Sequence, residues 1–378
     1  MRILAVSRAW PSTERSGVSL AAAAHVEMMV EMGHDVSIIG ACAPVLQEDL
    51  PVEGRFHVPA YGSGALYSPS RVDHQQMTSA ITRANPELIV VEAWQTGIGE
   101  AAIQAAKTRN LPVLMISHGV SIHPFSKSIT DRLRALGWIH YRYGILPRMI
   151  LNLTAITTLD EASRSLRFYD RDIARQFGIP VFPLGNFPVN WSRTCLVHNA
   201  RKRQVLLIGY FSPVKNQLSA LEILSKLSAD MFLRFIGPRS GEYYLQCVRR
   251  ASELGVEARV IFSEDHECNI SDEIASSIAV LSTSITEALP ICLLEAMASG
   301  TPFVATPVGA VPSLSGGLIR TDVHGHAEAI QNLMNDAELW NKLSNAGIAL
   351  HHERFSRISI KEQLSSALLR FDNTDTLE

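Results

Sequence analysis

The sequence has 378 residues and a formal net charge of −3; 47% of the residues are hydrophobic and 19% are charged. This length exceeds what one hydrophobic core usually supports, so the sequence predicts two domains. The near-neutral charge argues against nucleic acid as the main partner. No apolar run reaches the roughly 18 residues that a membrane-spanning helix requires.

The first residues, MRILAVSRAW, have no separate basic region, long apolar region or small-residue cleavage site, so they are interpreted as a strand and not as a signal peptide. The cysteines are scattered, with no CxxC pair and no paired histidine spacing. They indicate reduced thiols in a cytoplasmic protein and neither a disulfide framework nor a zinc site. The five positions are Cys42, Cys195, Cys247, Cys268 and Cys292.

The first half alternates short apolar runs with longer amphipathic ones. RILAVS, DVSIIGA, ELIVVEA, LPVLMISHG and LTAITTLD are predicted strands, whereas SLAAAAHVEMMVEMG and GEAAIQAAKTRN are predicted helices. Continuously apolar strands alternating with helices are typical of a parallel sheet covered on both faces. Residues 1–185 are therefore predicted to form one doubly wound, Rossmann-like α/β domain.

The alternation stops in residues 186–203, which are predicted to be a linker, and restarts afterwards. QVLLIGYF, MFLRFIGP, ARVIFS, IAVLSTSI and TPFVATPVG are predicted strands, with helical patterns between most of them. Residues 204–354 are thus predicted to form a second Rossmann-like domain. Ligands of such sheets bind at the carboxyl ends of the strands, and we expect the site in the cleft between the halves.

The stretch TEALPICLLEAMASGTP carries two carboxylates, Glu287 and Glu295, in an otherwise apolar segment. Pro290 fits the first turn of a helix and Gly300 its end. Free N–H groups at the helix start, together with the positive end of the helix dipole, suit a phosphate or diphosphate. The alternative is a solvated Glu295 and a Glu287 favoured only by the dipole. The predicted phosphate-binding amides belong to Leu289, Ile291 and Cys292.

The spacing E-x7-E followed by AMASGTPFVAT resembles the signature of the retaining glycosyltransferases of family 4, which have the two-domain GT-B fold. The resemblance extends along nearly the whole chain, through the amino-terminal strand and helix, through SHG at residues 117–119 and through LLIGYFSPVKNQLSALEIL. It implies a fold of two Rossmann-like domains and a nucleotide-sugar donor, with a UDP-sugar as the commonest case. It also implies that the last residues, 355–378, form a helix that crosses back to the first domain, followed by a polar tail.

The resemblance assigns roles to individual residues. Glu287 and His118 would contact the transferred sugar, and Glu295 would accept from both ribose hydroxyls. Lys215 would stabilise the leaving diphosphate. Gly209 and Gly17 lie in loops after the first strand of each half, where a glycine lets backbone approach a phosphate; for Gly17 alone, a plain turn is the alternative. The resembled enzymes need no cofactor and no metal.

The sequence departs from the family where an arginine usually follows the glycine, because Tyr210 stands there. One of two customary phosphate cations is therefore missing. Arg239 could replace it, or the Tyr210 hydroxyl could supply one weaker bond. Asp170 and Asp172 form a D-R-D in a helix-like surface pattern and are interpreted as solvated residues, not as metal ligands.

Residues 127–150 carry a basic, aromatic-rich pattern that favours an amphipathic helix on an anionic membrane surface, or equally an ordinary helix with a solvated basic face. We expect a retaining hexosyltransferase that acts on a glycan or lipid-linked acceptor in cell-surface polysaccharide or glycolipid synthesis, in the cytoplasm or peripherally at the membrane. The alternatives are a non-catalytic nucleotide-sugar-binding scaffold and a nucleotide-sugar epimerase. A dehydrogenase is disfavoured, since no G-x-G-x-x-G follows a strand. The basic side chains are Lys127, Arg132, Arg134, Arg142 and Arg148, with Trp138, Tyr141 and Tyr143 among them.

Overall fold

The computed structural model describes residues 1–14, 16–62, 69–122, 129–188 and 196–372. The chain divides into two compact units. Unit 1 comprises Met1–Gly185 together with Ile360–Glu378, and unit 2 comprises Asn186–Ser359. The division follows Gly185, and the last segment of the chain is packed with unit 1.

Unit 1 is built on a seven-stranded parallel sheet in the order β3-β2-β1-β6-β7-β8-β9. A short antiparallel pair, β4 with β5, lies outside this sheet. The strands are β1 Arg2–Ser7, β2 Asp35–Gly40, β3 Gly54–His57, β4 Ala60–Tyr61, β5 Arg71–Val72, β6 Leu88–Glu92, β7 Val113–Ile116, β8 Ala155–Thr158 and β9 Val181–Pro183.

The helices of unit 1 follow the alternation predicted from the sequence. A π-helical turn, Tyr141–Ile145, joins α4 to α5, and short 3₁₀ turns occur at Ala43–Gln47 and Leu166–Phe168. The helices are α1 Gly17–Glu31, α2 His74–Ala84, α3 Gly97–Lys107, α4 Ile129–His140, α5 Leu146–Ile150 and α6 Tyr169–Gln176.

Unit 2 contains a six-stranded parallel sheet in the order β12-β11-β10-β13-β14-β15. Its first strand begins at Lys202, inside the segment predicted as a linker. The elements are β10 Lys202–Ile208, α7 Gln217–Ser225, β11 Phe232–Ile236, α8 Glu242–Glu253, β12 Val260–Ser263, α9 Ile270–Ser276, β13 Ser277–Ser282, α10 Ile291–Ala298, β14 Phe303–Ala305, β15 Gly317–Ile319, α11 Val323–Asn335 and α12 Ala337–Leu350; the final helix, α13, is Arg357–Asp372.

The central strands are buried on both faces, as their continuous apolar character predicts. All residues of β6, β7 and β13 are buried. Helices pack on these strands and bury a large hydrophobic cluster in each unit. The prediction of two Rossmann-like, parallel-sheet domains is therefore confirmed.

Both sheets have a topological switch point, where two neighbouring strands are followed by connections that run to opposite sides. In unit 1 it lies between β1 and β6, and in unit 2 between β10 and β13. The loops that leave the carboxyl ends of such a strand pair diverge and open a crevice in which α/β proteins bind ligands. These two strand pairs position the groups described below.

Cys42, Cys247, Cys268 and Cys292 carry free thiols, whereas Cys195 lies outside the described residues. In the described part of the chain, no helix combines the length and the apolar character needed to cross a bilayer.

Candidate functional site

The loops that follow β10 and β13 meet at the switch point of unit 2. The amide of Ile285 donates to the carbonyl of Val214 over 2.8 Å. The hydroxyl of Thr283 donates to the carbonyls of Lys215 and Asn216, each at 3.0 Å. These bonds tie the two loops together, so that side chains from both strand ends face one small region.

Helix α10 starts in this region with uncovered amides. Pro290 is the residue before its first turn and has an extended conformation. The first N–H groups of a helix have no intrahelical acceptor, and within the described residues no backbone acceptor is seen for Leu289, Ile291 or Cys292. The predicted helix is present, but Pro290 precedes its first turn and does not belong to it; binding of an anion at its start stays a prediction. The helix start is the place where an anionic group gains from both the amides and the helix dipole.

Two hydrogen bonds and a close backbone contact fix the loop before α10. The carbonyl of Ala288 accepts from the amide of Ala310 at 2.8 Å, and the carbonyl of Leu289 accepts from the side-chain amide of Asn186 at 3.2 Å. Gly309 has φ +55°, and a Cβ atom there would lie 2.1 Å from the carbonyl oxygen of Glu287. Only glycine therefore allows this close approach of the two backbone segments.

Lys215 and Glu287 form an ion pair beside this helix start. The Lys215 Nζ lies 2.6 Å from the Glu287 Oε1, and the hydroxyl of Ser284 donates to the same oxygen at 3.1 Å. Burial lowers the pKa of Lys215, but the Glu287 carboxylate more than offsets this, and the net shift of the pKa is upward. The lysine thus stays charged, and the two predicted residues are in direct contact.

Glu295 lies on the second turn of α10, and burial raises its pKa to about 7. Burial also raises the pKa of the Cys292 thiol to about 12, despite the charge of Lys215 nearby, so this thiol stays protonated. Unlike Glu287, the Glu295 carboxyl makes no hydrogen bond or ion pair with any described residue. A half-buried acid without a partner has hydrogen-bonding capacity left for a ligand.

The other residues predicted for the donor site are Gly209, Tyr210 and Arg239. Their surroundings differ. Gly209 has φ +142°, and a Cβ atom there would lie 3.1 Å from the side chain of Lys215. Tyr210 is 60% exposed. Arg239 forms ion pairs with Glu264 and Glu267. It would have to leave both carboxylates before it could replace the missing phosphate cation.

Unit 1 contains a cavity of about 870 Å³ at its own switch point. Its wall is formed by the loop after β1, the start of α1, the loop after β6 and the loop after β7. Among the lining side chains that carry polar groups are Arg8, Glu14, Glu92, Gln95, His118 and Arg167. The cavity is large enough for a drug-sized or sugar-sized molecule.

His118 follows β7 and lines this cavity, which agrees with its predicted position at a strand end. Its Nε2 lies 3.0 Å from the Glu92 Oε2. The other Glu92 oxygen lies 2.9 Å from the Nδ1 of His25. The three side chains form a row at the cavity wall, in which the Glu92 carboxylate is fully buried.

The interpretation of Asp170 as a solvated residue is wrong. Asp170 is buried, and its Oδ2 accepts from the indole N–H of Trp94 at 2.7 Å and from the hydroxyl of Ser117 at 2.5 Å. Burial raises the pKa of this carboxyl. The helical pattern was right, but one face of α6 packs on the loops after β6 and β7 and fixes the Ser117–Gly119 turn. The side chain of Asp172 is 45% exposed, as expected.

Gly17 is the first residue of α1 and not part of the preceding loop. The side chain of Ser16 caps this helix, accepting from the amide of Ser19 at 3.3 Å, while the Ser19 hydroxyl accepts from the Ser16 amide at 2.9 Å. The amide of Ser19 is therefore already satisfied within this helix start. Ser16 and Val18 line the cavity.

The basic segment is only partly a surface helix. Arg132, Arg134 and Arg148 are exposed, whereas Arg142 is buried. Tyr141 is also buried, while Tyr143 is exposed. The expectation that Arg142 contributes to a basic face is wrong, because the π-helical turn rotates it toward the core. Lys127 lies outside the described residues.

Sequence reasoning missed Glu92, His25 and Gln95. Glu92 is the last residue of β6 and pairs with Ile116 of β7. The rule that ligands bind at the carboxyl ends of parallel strands therefore applies to Glu92 as well as to His118. Gln95 has φ +64° and a buried amide nitrogen with no partner among the described residues. Ala93 also has a positive φ, of 68°. Left-handed non-glycine residues at a ligand cavity are a mark of function that only the structure reveals.

The two-unit architecture and the switch-point crevices define a protein of the GT-B fold. Residues 193–349 match the family model of the glycosyl transferases, group 1. This segment contains Lys215, Glu287 and Glu295, whereas His118 and Gly17 lie outside it. This segment of the chain is therefore similar to the group 1 glycosyl transferases.

Two curated relatives support this assignment. The chain is 26% identical over 162 residues to the N-acetyl-alpha-D-glucosaminyl L-malate synthase of Bacillus anthracis, a match that covers 41% of this chain and 42% of the relative. It is 29% identical over 195 residues to a D-inositol 3-phosphate glycosyltransferase of Mycobacterium tuberculosis, which covers 47% of this chain and 40% of the relative. The chain thus spans about two fifths of the length of these relatives.

Solved structures match the fold over nearly the whole chain. HepE of Anabaena, crystallised with UDP and glucose, has a TM-score of 0.69 at 18% identity and covers 98% of this chain and 99% of its own. The sucrose-phosphate synthase of Thermosynechococcus elongatus has a TM-score of 0.72 at 14% identity, with 98% of each chain covered. At such identities the likeness establishes the GT-B fold.

Proposed function

We propose that this protein is a retaining glycosyltransferase that moves a hexose-type sugar from a nucleoside-diphosphate donor to a glycan or lipid-linked acceptor, in cell-surface polysaccharide or glycolipid synthesis. The observation that carries the proposal is the Lys215–Glu287 ion pair beside the bare start of α10. A cation and free amides at one point suit a diphosphate, and the group 1 family match covers these residues.

The same geometry supports separate roles for the donor-site residues of unit 2. The diphosphate would bind to Lys215 and to the amides of Leu289, Ile291 and Cys292. Glu295, one turn along the helix, would accept from the ribose hydroxyls. Stabilisation of charge on the leaving diphosphate would then be the main catalytic contribution, and no nucleophile, metal or cofactor is required. UDP is the proposed nucleotide, since HepE of Anabaena was solved with UDP.

The experiment is calorimetric titration of the protein with UDP, GDP and ADP, followed by the corresponding glucose nucleotides. We expect one nucleotide to bind at micromolar to millimolar Kd, as is usual for substrates. The matched variant is Lys215→Met, which keeps the aliphatic stem and removes the charge. Equal binding by both proteins, or binding of none of the nucleotides, would contradict the proposal.

A second candidate, a nucleotide-sugar-binding scaffold without turnover, is favoured by one observation. Tyr210 stands where a second phosphate cation is expected, and Arg239 is held by Glu264 and Glu267. With Lys215 as the remaining cation of the predicted set, binding could persist while turnover is lost. Release of free nucleotide from the bound donor, measured with and without acceptor extracts, distinguishes the two: transfer supports the enzyme, and binding alone supports the scaffold.

We also propose that this protein contacts an anionic membrane surface. Arg132, Leu133, Arg134 and Leu136 on α4 are exposed, and such a mixture of basic and apolar side chains suits a lipid interface. Co-sedimentation with liposomes that contain anionic lipid should fall when Arg132 and Arg134 are both changed to Glu. Arg249→Glu, an exposed position in unit 2, serves as the control. Equal sedimentation of all three proteins would contradict the idea.

A further inference from the structure

The carboxylate of Glu92 is buried at the wall of the unit 1 cavity and contacts two imidazole rings. Its side chain is 0% exposed, and the ring atoms His25 Nδ1 and His118 Nε2 lie 2.9 and 3.0 Å from its two oxygens. The two rings stack with centroids 6.2 Å apart. None of these contacts belongs to the donor region of unit 2.

Glu92 is ionised in this arrangement. Burial by itself would raise the pKa of the carboxyl, but its contacts with His25 and His118 lower it to about 2. An ionised carboxylate only accepts hydrogen bonds. The ring nitrogens that face it must therefore both carry a proton, so that Nδ1 is protonated in His25 and Nε2 in His118.

The remaining ring nitrogens differ in their surroundings. The Nε2 of His25 is buried and has no partner among the described residues. His118, in contrast, lines the cavity, and within the described part of the chain its side chain contacts Glu92 and stacks on His25. In a neutral His118 that donates through Nε2, the free Nδ1 is a hydrogen-bond acceptor. A hydroxyl group of a ligand can donate to such a nitrogen.

We propose that Glu92 is a positioning residue that holds His118 as its Nε2–H tautomer, so that the Nδ1 of His118 accepts a hydrogen bond from a hydroxyl group of a sugar or polyol in the unit 1 cavity. His25 completes the arrangement by occupying the second carboxylate oxygen. The identity of the ligand rests on the proposed function, whereas the tautomers do not.

The backbone near Glu92 supports a role beyond packing. The residue next to it, Ala93, and Gln95 two residues further are both left-handed, a conformation that is unfavourable for non-glycine residues. Strain of this kind persists where surrounding structure fixes a functional geometry. A buried carboxylate is also costly compared with an apolar side chain of similar volume. A carboxylate that only filled space at this strand end would be an unfavourable choice.

The first test measures the tautomers directly. Long-range ¹H–¹⁵N spectra of the neutral rings should show opposite tautomers, Nδ1–H for His25 and Nε2–H for His118. In Glu92→Gln the side chain presents one oxygen and one NH₂ group to two rings, so at least one ring must present a bare nitrogen and the pair of opposite tautomers is lost. Glu100→Gln, the same change on α3 beside Ser70, should leave both rings as in the native protein.

Two outcomes of these spectra would overturn the proposal. One is a bare ring nitrogen facing Glu92 in the native protein. The other is an unchanged pair of tautomers in folded Glu92→Gln. Because no substrate is needed, the spectra give an answer even if every nucleotide fails to bind in the calorimetric screen.

The second test separates the two ring nitrogens of His118 with the nucleotide sugar selected by that screen. Asn places an amide oxygen near the position of Nδ1, whereas Gln places its amide near the position of Nε2. His118→Asn should therefore keep KM for transfer within about fivefold of native, and His118→Gln should raise it at least about tenfold. The reverse order would overturn the proposal. UDP affinity should stay within about twofold in both variants, since loss of UDP binding would instead report failure of the proposed donor site.

Discussion

At the residue scale, Glu295 offers a pH-dependent test of the ribose contact. Its pKa of about 7 means that the carboxylate form, which accepts from two hydroxyls, becomes dominant only above neutral pH. UDP affinity should therefore rise about tenfold from pH 6 to pH 8 as the carboxyl group ionises. Calorimetry in two buffers of different ionisation enthalpy should also show proton release on binding at pH 6.

The control for this effect is Glu295→Gln, which keeps the shape of the side chain and cannot ionise. We expect about 10- to 100-fold weaker UDP binding at pH 8, because hydrogen bonds to a charged acceptor are lost. Whatever pH dependence the phosphate of UDP itself contributes will remain in this variant. An identical pH profile in native protein and variant would show that Glu295 does not bind the nucleotide.

Glu287 should affect turnover and not nucleotide binding. Its carboxylate neutralises Lys215 in the free protein and repels a diphosphate. Glu287→Gln should therefore leave UDP affinity unchanged or strengthen it, within about tenfold, and lower kcat about 100-fold if the acid contacts the transferred sugar. Steady-state kinetics and calorimetry on the same preparation measure both. A variant that loses UDP affinity and keeps kcat would invert the assignment of Glu287 and Glu295.

At the scale of elements, the start of α10 depends on a backbone contact with the loop after β14. A Cβ atom at position 309 would lie 2.1 Å from the carbonyl oxygen of Glu287 and 2.3 Å from that of Ala288. Gly309→Ala should displace this loop and weaken UDP binding at least about tenfold. Isothermal titration and a thermal melt of the variant provide the two measurements.

Gly255 is the matched control for that substitution. It has φ +65°, similar to +55° at Gly309, but a Cβ atom there meets nothing within 4 Å. Gly255→Ala should therefore cost only the left-handed conformation, about 1–2 kcal/mol, and leave UDP affinity unchanged. If both variants bind UDP equally well, the helix start does not hold the diphosphate.

The sequence was sufficient to predict these elements but not which of their side chains meet. Apolar runs and helical spacing predicted β10, β13 and α10, because continuous burial and the 3.6-residue period are local properties. The rule that parallel strands end at one edge placed Lys215 and Glu287 in the same region, but their ion pair was not predicted. No local pattern could show that His25, on α1, would reach Glu92, 67 residues away.

The burial of individual polar residues was also not predicted from the sequence. Asp170 and Arg142 lie in charged, helix-like segments, and such residues are usually solvated. Their burial depends on which helix face meets the sheet, and for Arg142 on a π-helical turn that shifts the face. Both are consequences of tertiary packing. Periodicity alone therefore predicts the helix and not the orientation of each charge.

At the scale of the whole molecule, each unit has its own core and its own switch-point crevice. The donor residues Lys215, Glu287 and Glu295 all belong to unit 2, and the cavity with His118 belongs to unit 1. Helix α13, although last in the chain, packs with unit 1. The amide of Gly185 donates to the side-chain oxygen of Gln363 at 2.9 Å, and Lys361 pairs with Glu31. Removal of α13 should therefore affect the two units differently.

A chain that ends at Ser359 tests this difference. It lacks the buried side chains of Ile360, Leu364, Leu368 and Phe371. Each fully buried apolar side chain contributes about 1.5–3 kcal/mol, so the loss is about 6–12 kcal/mol, comparable to the whole stability of a domain. We expect scanning calorimetry to show a lost or strongly lowered transition for unit 1 and a retained transition for unit 2.

UDP identifies which transition belongs to which unit in that experiment. A ligand that binds only the folded state raises its unfolding temperature, so saturating UDP should raise the transition of unit 2 in both the full and the shortened chain. The control is Ile358→Ala in the full chain, an exposed position just before the removed segment, which should change neither transition. If UDP binding disappeared together with α13, the donor site would need unit 1 as well, and its assignment to the switch point of unit 2 alone would be wrong.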